Sequence, residues 1–108
     1  MTDPGLVFDA LGDPTRRRVL SDLSSLGHAS CTDLSRRLPI TRQAVNKHLN
    51  ALLDAGLVTT ERRGRAVVYR IQPEPLTEAV RWMTQVGEQW DDRLGALRSH
   101  LKRRRVRP

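Results

Sequence analysis

The C-terminal third of this 108-residue chain carries a regular apolar pattern that limits how the chain can fold. Its spacing predicts one helix over about residues 76–102, because apolar positions recur at alternating steps of four and three residues without a proline. We call these positions the heptad seam: Leu76, Val80, Met83, Gly87, Trp90, Leu94, Leu97 and Leu101. A chain of this length has room for one domain, whose other helices already fill a small core. We therefore expect a second copy of the chain to cover the seam.

Cap residues and chain breakers divide the first half of the chain into helices. A short apolar stripe over residues 6–11 comes first. After it, a cap predicts where each helix begins, and a glycine or a proline predicts where it ends. These boundary residues are Asp13, Pro14 and Gly27 for one helix, Ser30 and Pro39 for the next, and Thr41 and Gly56 for the third. Ser30 with Asp33 also matches a capping box.

The apolar pattern changes from a helical to a strand period after Gly56. Residues 57–62 and 66–71 are rich in β-branched side chains that alternate with polar ones. Gly64 lies between them and can supply the positive φ of a tight turn, so the pattern predicts a hairpin. Pro73 and Pro75 are expected to end it. The chain is thus mainly helical, of the α+β class, with one two-stranded hairpin.

The positive charge of the chain is concentrated in two segments. The formal net charge is +7, and residues 36–70 hold eight basic side chains against two acidic ones. The last eleven residues hold six basic side chains and no acidic one. Such a localised surplus favours a polyanionic partner, because neutralised phosphates release counterions. A single cysteine excludes an internal disulfide, and the chain contains no phosphate-binding loop or nucleophile motif of an enzyme.

Two runs of sequence resemble the ArsR/SmtB family of winged helix-turn-helix repressors. FDALGDPTRR over residues 8–17 is similar to the opening of that family, and TRQAVNKHLNALLDAGLV over residues 41–58 to its recognition helix. The resemblance implies a winged helix-turn-helix fold in which residues 57–71 form the wing. It also implies repression of transcription and a homodimer that pairs through the first and last helices. Leu6 would then join the heptad seam in the interface.

The predicted third helix presents polar side chains suited to double-stranded DNA. With its apolar residues turned inward, its N-terminal half exposes forked donors and acceptors that match base edges in a major groove. The predicted recognition residues are Thr41, Arg42, Gln43, Asn46 and Lys47. Arg62, Arg63 and Arg65 crowd the hairpin tip and are expected to contact phosphates or a minor groove. The alternative for both sets is an ordinary solvated surface, and His48 is expected to be half-buried packing.

Metal and redox control are alternatives that depend on Cys31. The metal-binding members of the family carry Cys-x-Cys before Asp-Leu, whereas this chain has Ser30 and Thr32 at those two positions. Cys31 and His28 alone fall short of a tetrahedral zinc site. We therefore expect the branch without metal motifs, and neither a metal nor another cofactor. No inducer can be named from the sequence.

The end of the chain is expected to be separate from the folded part. We predict one DNA-binding and dimerisation domain over residues 1–101 and a disordered basic tail over 102–108, which either contacts phosphates or only solubilises. A non-specific basic nucleic-acid-binding protein is the alternative function, but few aromatic side chains are available to stack on bases. The chain has no apolar run long enough to span a membrane and no signal peptide, which favours the cytoplasm.

Overall fold

The computed structural model describes residues 4–105, with side chains over 5–101. The elements follow in this order: α1 Pro4–Leu11, α2 Pro14–Leu26, β1 His28–Ala29, α3 Cys31–Ser35, α4 Arg42–Asp54, β2 Val58–Arg63, β3 Ala66–Ile71 and α5 Pro73–Arg105. α3 and α4 form a helix-turn-helix, and the β2–β3 hairpin forms the wing. The mainly helical α+β fold with a wing and a long C-terminal helix, which the sequence predicted, is confirmed.

The predicted caps begin three of the helices. The Asp13 carboxylate accepts hydrogen bonds from the backbone N–H groups of Thr15 at 2.8 Å and Arg16 at 3.1 Å. Ser30 and Asp33 exchange side-chain and backbone hydrogen bonds, both at 3.1 Å, in a complete capping box. Thr41 Oγ1 accepts from the N–H of Ala44 at 3.1 Å. Each cap satisfies N–H groups that a helix leaves free in its first turn.

The core lies where α1, α2 and α4 pack together and against the sheet. Three positions of α4 are fully buried: Val45, Leu49 and Leu52. They meet buried side chains of α1, α2, α3 and the segment that leads into β2, among them Val7, Val19, Leu23, Leu34 and Leu57. Because these residues sit at three- and four-residue steps, each helix turns one apolar face inward.

The sheet has one strand more than the sequence predicted. Its order is β1-β3-β2, with antiparallel pairs throughout, and β1 pairs His28 with Arg70 and Ala29 with Tyr69. A two-residue strand is too short to show an alternating pattern, so only its pairing reveals it. The predicted hairpin is present, with Gly64 at a φ of 62° in its turn.

Two predicted helix boundaries are wrong. α3 ends at Ser35 instead of continuing to Pro39, and Leu38 reaches the core from the turn that follows. The proline disfavours helical backbone at Leu38, so the chain leaves the helix before it. α5 begins at Pro73, three residues before the predicted start. Both prolines lie in its first turn, where a missing N–H leaves no helical hydrogen bond unmade.

α5 carries two apolar stripes, of which this chain covers the first part of one. Pro75 and Ala79 are buried, and the ring of Trp82 contacts that of Phe8 in α1, with centroids 5.5 Å apart. The heptad seam lies next to this stripe on the helix surface, because Leu76, Val80 and Met83 follow Pro75, Ala79 and Trp82 by one position each. Leu76 packs partly against the core, but six large seam side chains are between 42% and 56% exposed: Val80, Met83, Trp90, Leu94, Leu97 and Leu101. The helical backbone continues to Arg105, through the first part of the predicted tail, and residues 106–108 lie outside the described part.

Truncating Leu49 should destabilise the whole domain. Leu49→Ala removes a fully buried side chain from the centre of α4, so we expect it to lower the free energy of unfolding by about 2–5 kcal/mol. Asn50→Ala changes the next, exposed residue of the same helix and should cost no more than about 0.5 kcal/mol. Urea denaturation followed by circular dichroism measures both. Equal losses in the two variants would contradict the predicted packing of α4.

The Asp13 cap should make stability sensitive to acid. Hydrogen bonds, first that from the N–H of Arg16, hold the pKa of Asp13 below its ordinary value of 3.8. A lowered folded-state pKa stabilises the fold above the ordinary value, and that contribution disappears as the pH falls through the folded-state pKa. Asp13→Asn keeps a capping oxygen but does not titrate there. Denaturation midpoints between about pH 5 and pH 2 should therefore fall more steeply in the wild type than in Asp13→Asn.

Candidate nucleic-acid interface

The exposed face of α4, together with its N-cap Thr41, holds all five predicted recognition residues. Thr41, Arg42, Gln43, Asn46 and Lys47 are exposed, while Val45 and Leu49 on the opposite side are buried. The buried residues set the rotation of the helix about its axis, so the polar side chains share one outward surface. This surface offers a guanidinium, two amides, an ammonium and a hydroxyl, which are the groups that bind base edges and phosphates.

Two further side chains of α4 border this surface. Asn50 is exposed one helical turn after Asn46 and extends the same face. Its spacing of four residues from Asn46 was the signal that could have identified it. His48 is half-buried, as predicted, and within residues 5–101 its buried Nδ1 has no hydrogen-bond partner.

The wing presents two faces, and its arginines do not share one. The register pairs Arg62 with Val67 and Arg63 with Ala66, and directly paired residues point to the same side of a sheet. Arg62 therefore lies on the same side of the sheet as Val67 and Tyr69, which is the side that faces the core. Arg63 is on the outer side. The three arginines of the hairpin could not be distinguished from the sequence alone, because the exact register decides on which side of the sheet each one lies.

Arg63 is held on the outer side of the sheet by two partners. Its Nε and Nη2 lie 3.0 and 2.9 Å from Glu61 Oε1, and its Nη1 lies 3.0 Å from His28 Nε2. Arg70 Nη1 is 3.9 Å from the same Glu61 oxygen. These contacts join β2 to β1 across β3. Because β1 was not predicted, neither was the contact between Arg63 and His28.

A groove separates α4 from the wing. We call it the helix–wing groove: it has a volume of about 390 Å³ and lies between the start of α3, the N-terminal half of α4 and β3. The side chains at its walls include Thr32, Cys31, Arg42, Asn46, Arg65 and Val67. Two of its lining residues are arginines, and among the described residues no carboxylate lines it. The charged side chains that line the groove are therefore all positive.

Cys31 lies half-buried in the wall of this groove. Its Sγ is 3.5 Å from the carbonyl oxygen of Arg42. Burial, with a smaller contribution from the Cys31 side chain, raises the pKa of nearby Tyr69, so its hydroxyl keeps its proton. Within residues 4–105, no three His, Cys, Asp or Glu side chains come together as a metal site would need.

Leu6 of α1, which is predicted to join the dimer interface, lies at the surface of the chain. It is 45% exposed and borders a depression formed with the end of α4 at Ala51, Asp54 and Ala55. Phe8, two residues later in α1, contacts Trp82 of α5 on a different side of the helix. A dimer interface that includes both Leu6 and the heptad seam stays a prediction.

Comparison with known proteins identifies the family of this chain. Residues 11–61 match a family described as a helix-turn-helix domain. The chain is 46% identical to the uncharacterized HTH-type transcriptional regulator YuzN of Bacillus subtilis (strain 168), over 65% of this chain and 83% of that protein. It is 32% identical to the transcriptional repressor SdpR of the same organism, over 71% and 84%.

Solved structures agree with this assignment. An ArsR-like transcriptional regulator from Rhodococcus sp. RHA1 is 40% identical, with a TM-score of 0.77 over 89% of this chain and 90% of that one. The homodimeric winged helix-turn-helix DNA-binding domain of Mb0332 from Mycobacterium bovis is 25% identical, with a TM-score of 0.61 over 82% and 78%. The chain belongs to the ArsR family of winged helix-turn-helix transcriptional regulators. These are DNA-binding proteins and not enzymes. None of the helices described between residues 4 and 105 has the length and apolarity of a membrane span.

Proposed function

We propose that this ArsR-family chain is a homodimeric repressor that binds operator DNA through α4. The exposed polar face of α4 carries the proposal, because its side chains lie beside a positively charged groove and oppose a buried apolar stripe. Repression is the function named for the relative SdpR. A dimer seated on a promoter would repress by excluding polymerase. Such a protein would act in the cytoplasm.

The residues of α4 divide into base-reading and phosphate-binding groups. Arg42 can bind guanine through two hydrogen bonds, and Asn46 and Gln43 can bind adenine in the same way. Thr41 and Lys47 at the edges of the surface would bind phosphates, which orient the helix without carrying sequence information. All five side chains are exposed and are therefore accessible to DNA.

The heptad seam supports pairing of two chains through α5. Six large apolar side chains exposed along one helix are unusual on a monomer surface, where extended apolar patches are rare. The structural relative Mb0332 is described as homodimeric. We propose residues 1–101 as one DNA-binding and dimerisation domain, with the basic residues from 102 onward adding phosphate contacts. Two-fold symmetry would place two α4 helices on half-sites about one helical turn of DNA apart.

Loss of Asn46 or Arg42 should relax base preference. Selection from random duplex DNA should first yield a palindromic operator. On that operator, Asn46→Ala and Arg42→Ala should each cost about 1–3 kcal/mol and remove the preference at one position per half-site. Arg81→Ala removes an exposed arginine of α5 and is the matched control, with operator affinity unchanged. Folded α4 variants that bind the operator as tightly as the wild type would refute the assignment.

Polar substitutions in the seam should separate the dimer. Leu94→Ser combined with Leu97→Ser places hydroxyl groups where the partner helix would bury them, so we expect monomers at micromolar concentration. Leu26→Ser alters an exposed apolar residue outside the seam and should leave the dimer intact. Sedimentation equilibrium measures the mass, and circular dichroism confirms that the variants fold. A wild-type monomer that still protects operator DNA would contradict pairing through α5.

A further inference from the structure

We propose that His28, Glu61 and Arg63 form a clamp that fixes the wing to β1 and that opens when His28 takes up a proton. We call these three side chains the polar clamp. The inference goes beyond the proposed function and does not depend on it, because every test uses the free protein. Arg62 and Arg65 lie within two residues of Arg63. The clamp therefore fixes the part of the wing that is proposed to bind DNA.

The polar clamp spans the whole width of the sheet. Arg63 of β2 pairs with Ala66 of β3. His28 of β1 pairs with Arg70, four residues further along β3. Paired and alternate residues of a sheet share a side, so all four side chains point to the outer side. Because Arg63 Nη1 lies 3.0 Å from His28 Nε2, the contact crosses β3 diagonally.

Val68 lies beneath this crossing. It pairs directly with Glu61 and stands midway between Ala66 and Arg70 on β3, so it also points to the outer side. It is nevertheless only 6% exposed, although it is not part of the core cluster. The side chains that share its side of the sheet are those of the clamp and its neighbours. The clamp therefore accounts for the burial of Val68.

Glu61 and His28 bind different nitrogens of Arg63. Glu61 Oε1 lies 3.0 Å from Nε and 2.9 Å from Nη2, which leaves Nη1 for the imidazole. A guanidinium can only donate hydrogen bonds, so His28 Nε2 must accept this one. The proton of the neutral imidazole then lies on Nδ1. The clamp is complete only while His28 is neutral.

Protonation of His28 removes the acceptor that closes the clamp. Both facing nitrogens would then be donors, and each would belong to a cation. Arg70, directly opposite His28 on β3, adds a third positive charge. Glu61 already binds Arg63 and lies 3.9 Å from Arg70, so its charge is shared between the two arginines. Imidazole ordinarily changes charge between about pH 5 and 8, so mild acid should open the clamp.

The other charged groups near His28 belong to α3 and α2, which also pack on β1. Asp33 of α3 interacts electrostatically with His28, and hydrogen bonds, first that from the backbone N–H of Ser30, hold the pKa of Asp33 below its ordinary value of 3.8. Its carboxylate is therefore ionised throughout the range in which imidazole titrates, and it binds Ser30 in the capping box. Asp22, the last charged residue of α2, lies 3.8 Å from Arg37. These carboxylates are thus already engaged by other partners.

NMR of the free protein labelled with nitrogen-15 tests the arrangement of the clamp. At about pH 7.5 the imidazole of His28 should carry its proton on Nδ1, while Nε2 accepts the hydrogen bond from Arg63. The chain has three histidines, and the spectrum of His28→Gln assigns the signals that belong to His28. A proton on Nε2 of the neutral ring would overturn the proposal, because that nitrogen could not then accept.

Hydrogen exchange of the free protein tests whether the clamp opens. Protection factors correct each amide for its intrinsic rate, and amides of α4 serve as the internal reference. Between about pH 7.5 and pH 5, protection of the β1 amides and of the β3 amides paired with them should fall about three- to tenfold. This is the size expected for the loss of one hydrogen bond that involves a charged group.

Three variants assign this fall to the clamp. His28→Gln keeps a neutral acceptor that does not titrate, so its protection should be equal at both pH values. His28→Lys carries a permanent charge and can only donate, so its protection should be low at both. His100→Gln is the matched control, because it replaces an exposed histidine of α5 and should behave like the wild type.

Arg63→Met tests the other side of the contact. It keeps an unbranched apolar side chain over Val68 and removes every donor. Protection should therefore be low at about pH 7.5 and should not fall further at pH 5. Retention of the wild-type pH dependence in this variant would overturn the proposal, because His28 would then act through another partner.

Two further outcomes would contradict the clamp. Equal protection of the wild type at both pH values would show that no opening follows protonation. An equal fall in the wild type and in His28→Gln would show that a different group titrates. Since none of these measurements involves DNA, they can fail while the proposed operator function stands. They can equally succeed if no operator is found.

Discussion

The burial of Val45, Leu49 and Leu52 is the packing interaction on which the proposed DNA-binding surface depends. These three side chains set the rotation of α4, and each residue of a helix turns its side chain by roughly 100°. A shift of the apolar pattern by one residue would carry Asn46 toward the core and an apolar side chain toward solvent. The face proposed to read DNA is thus a consequence of packing on the opposite side. Stability and recognition depend on the same helix.

Most of α4 and its surroundings could be predicted from the sequence, because the interactions that define them are local. Thr41 caps a helix whose apolar residues follow at three- and four-residue steps, and Ser30 with Asp33 closes a capping box within four residues. Such patterns involve neighbours in the chain and need no knowledge of the tertiary fold. Gly64 predicted the turn of the wing for the same reason, since its positive φ is a property of the turn itself.

The features that could not be predicted depend on contacts between distant residues. His28 and Ala29 form a strand only because Arg70 and Tyr69 lie opposite them, and two residues have no period of their own. The place of Arg63 follows from that strand and from the exact register of the hairpin. From the sequence, three arginines around one glycine are equivalent. In the fold, Glu61 and His28 bind Arg63 on one side of the sheet, while Arg65 borders the groove on the other.

α5 packs on its own chain through one stripe of side chains and exposes a second stripe that is proposed to contact a partner chain. Pro75 and Ala79 are buried against this chain, and Trp82, although half exposed, contacts Phe8 of α1. Val80 and Met83, each one position later in the helix, remain exposed. Adjacent stripes on one helix therefore connect the core to the surface proposed for dimerisation. Because α5 packs on α1, which packs on α2 and α4, a continuous chain of packed helices connects α5 to α4. Pairing of the two copies would then set the spacing of the two faces proposed to read DNA, and operator affinity would depend on protein concentration through dimerisation.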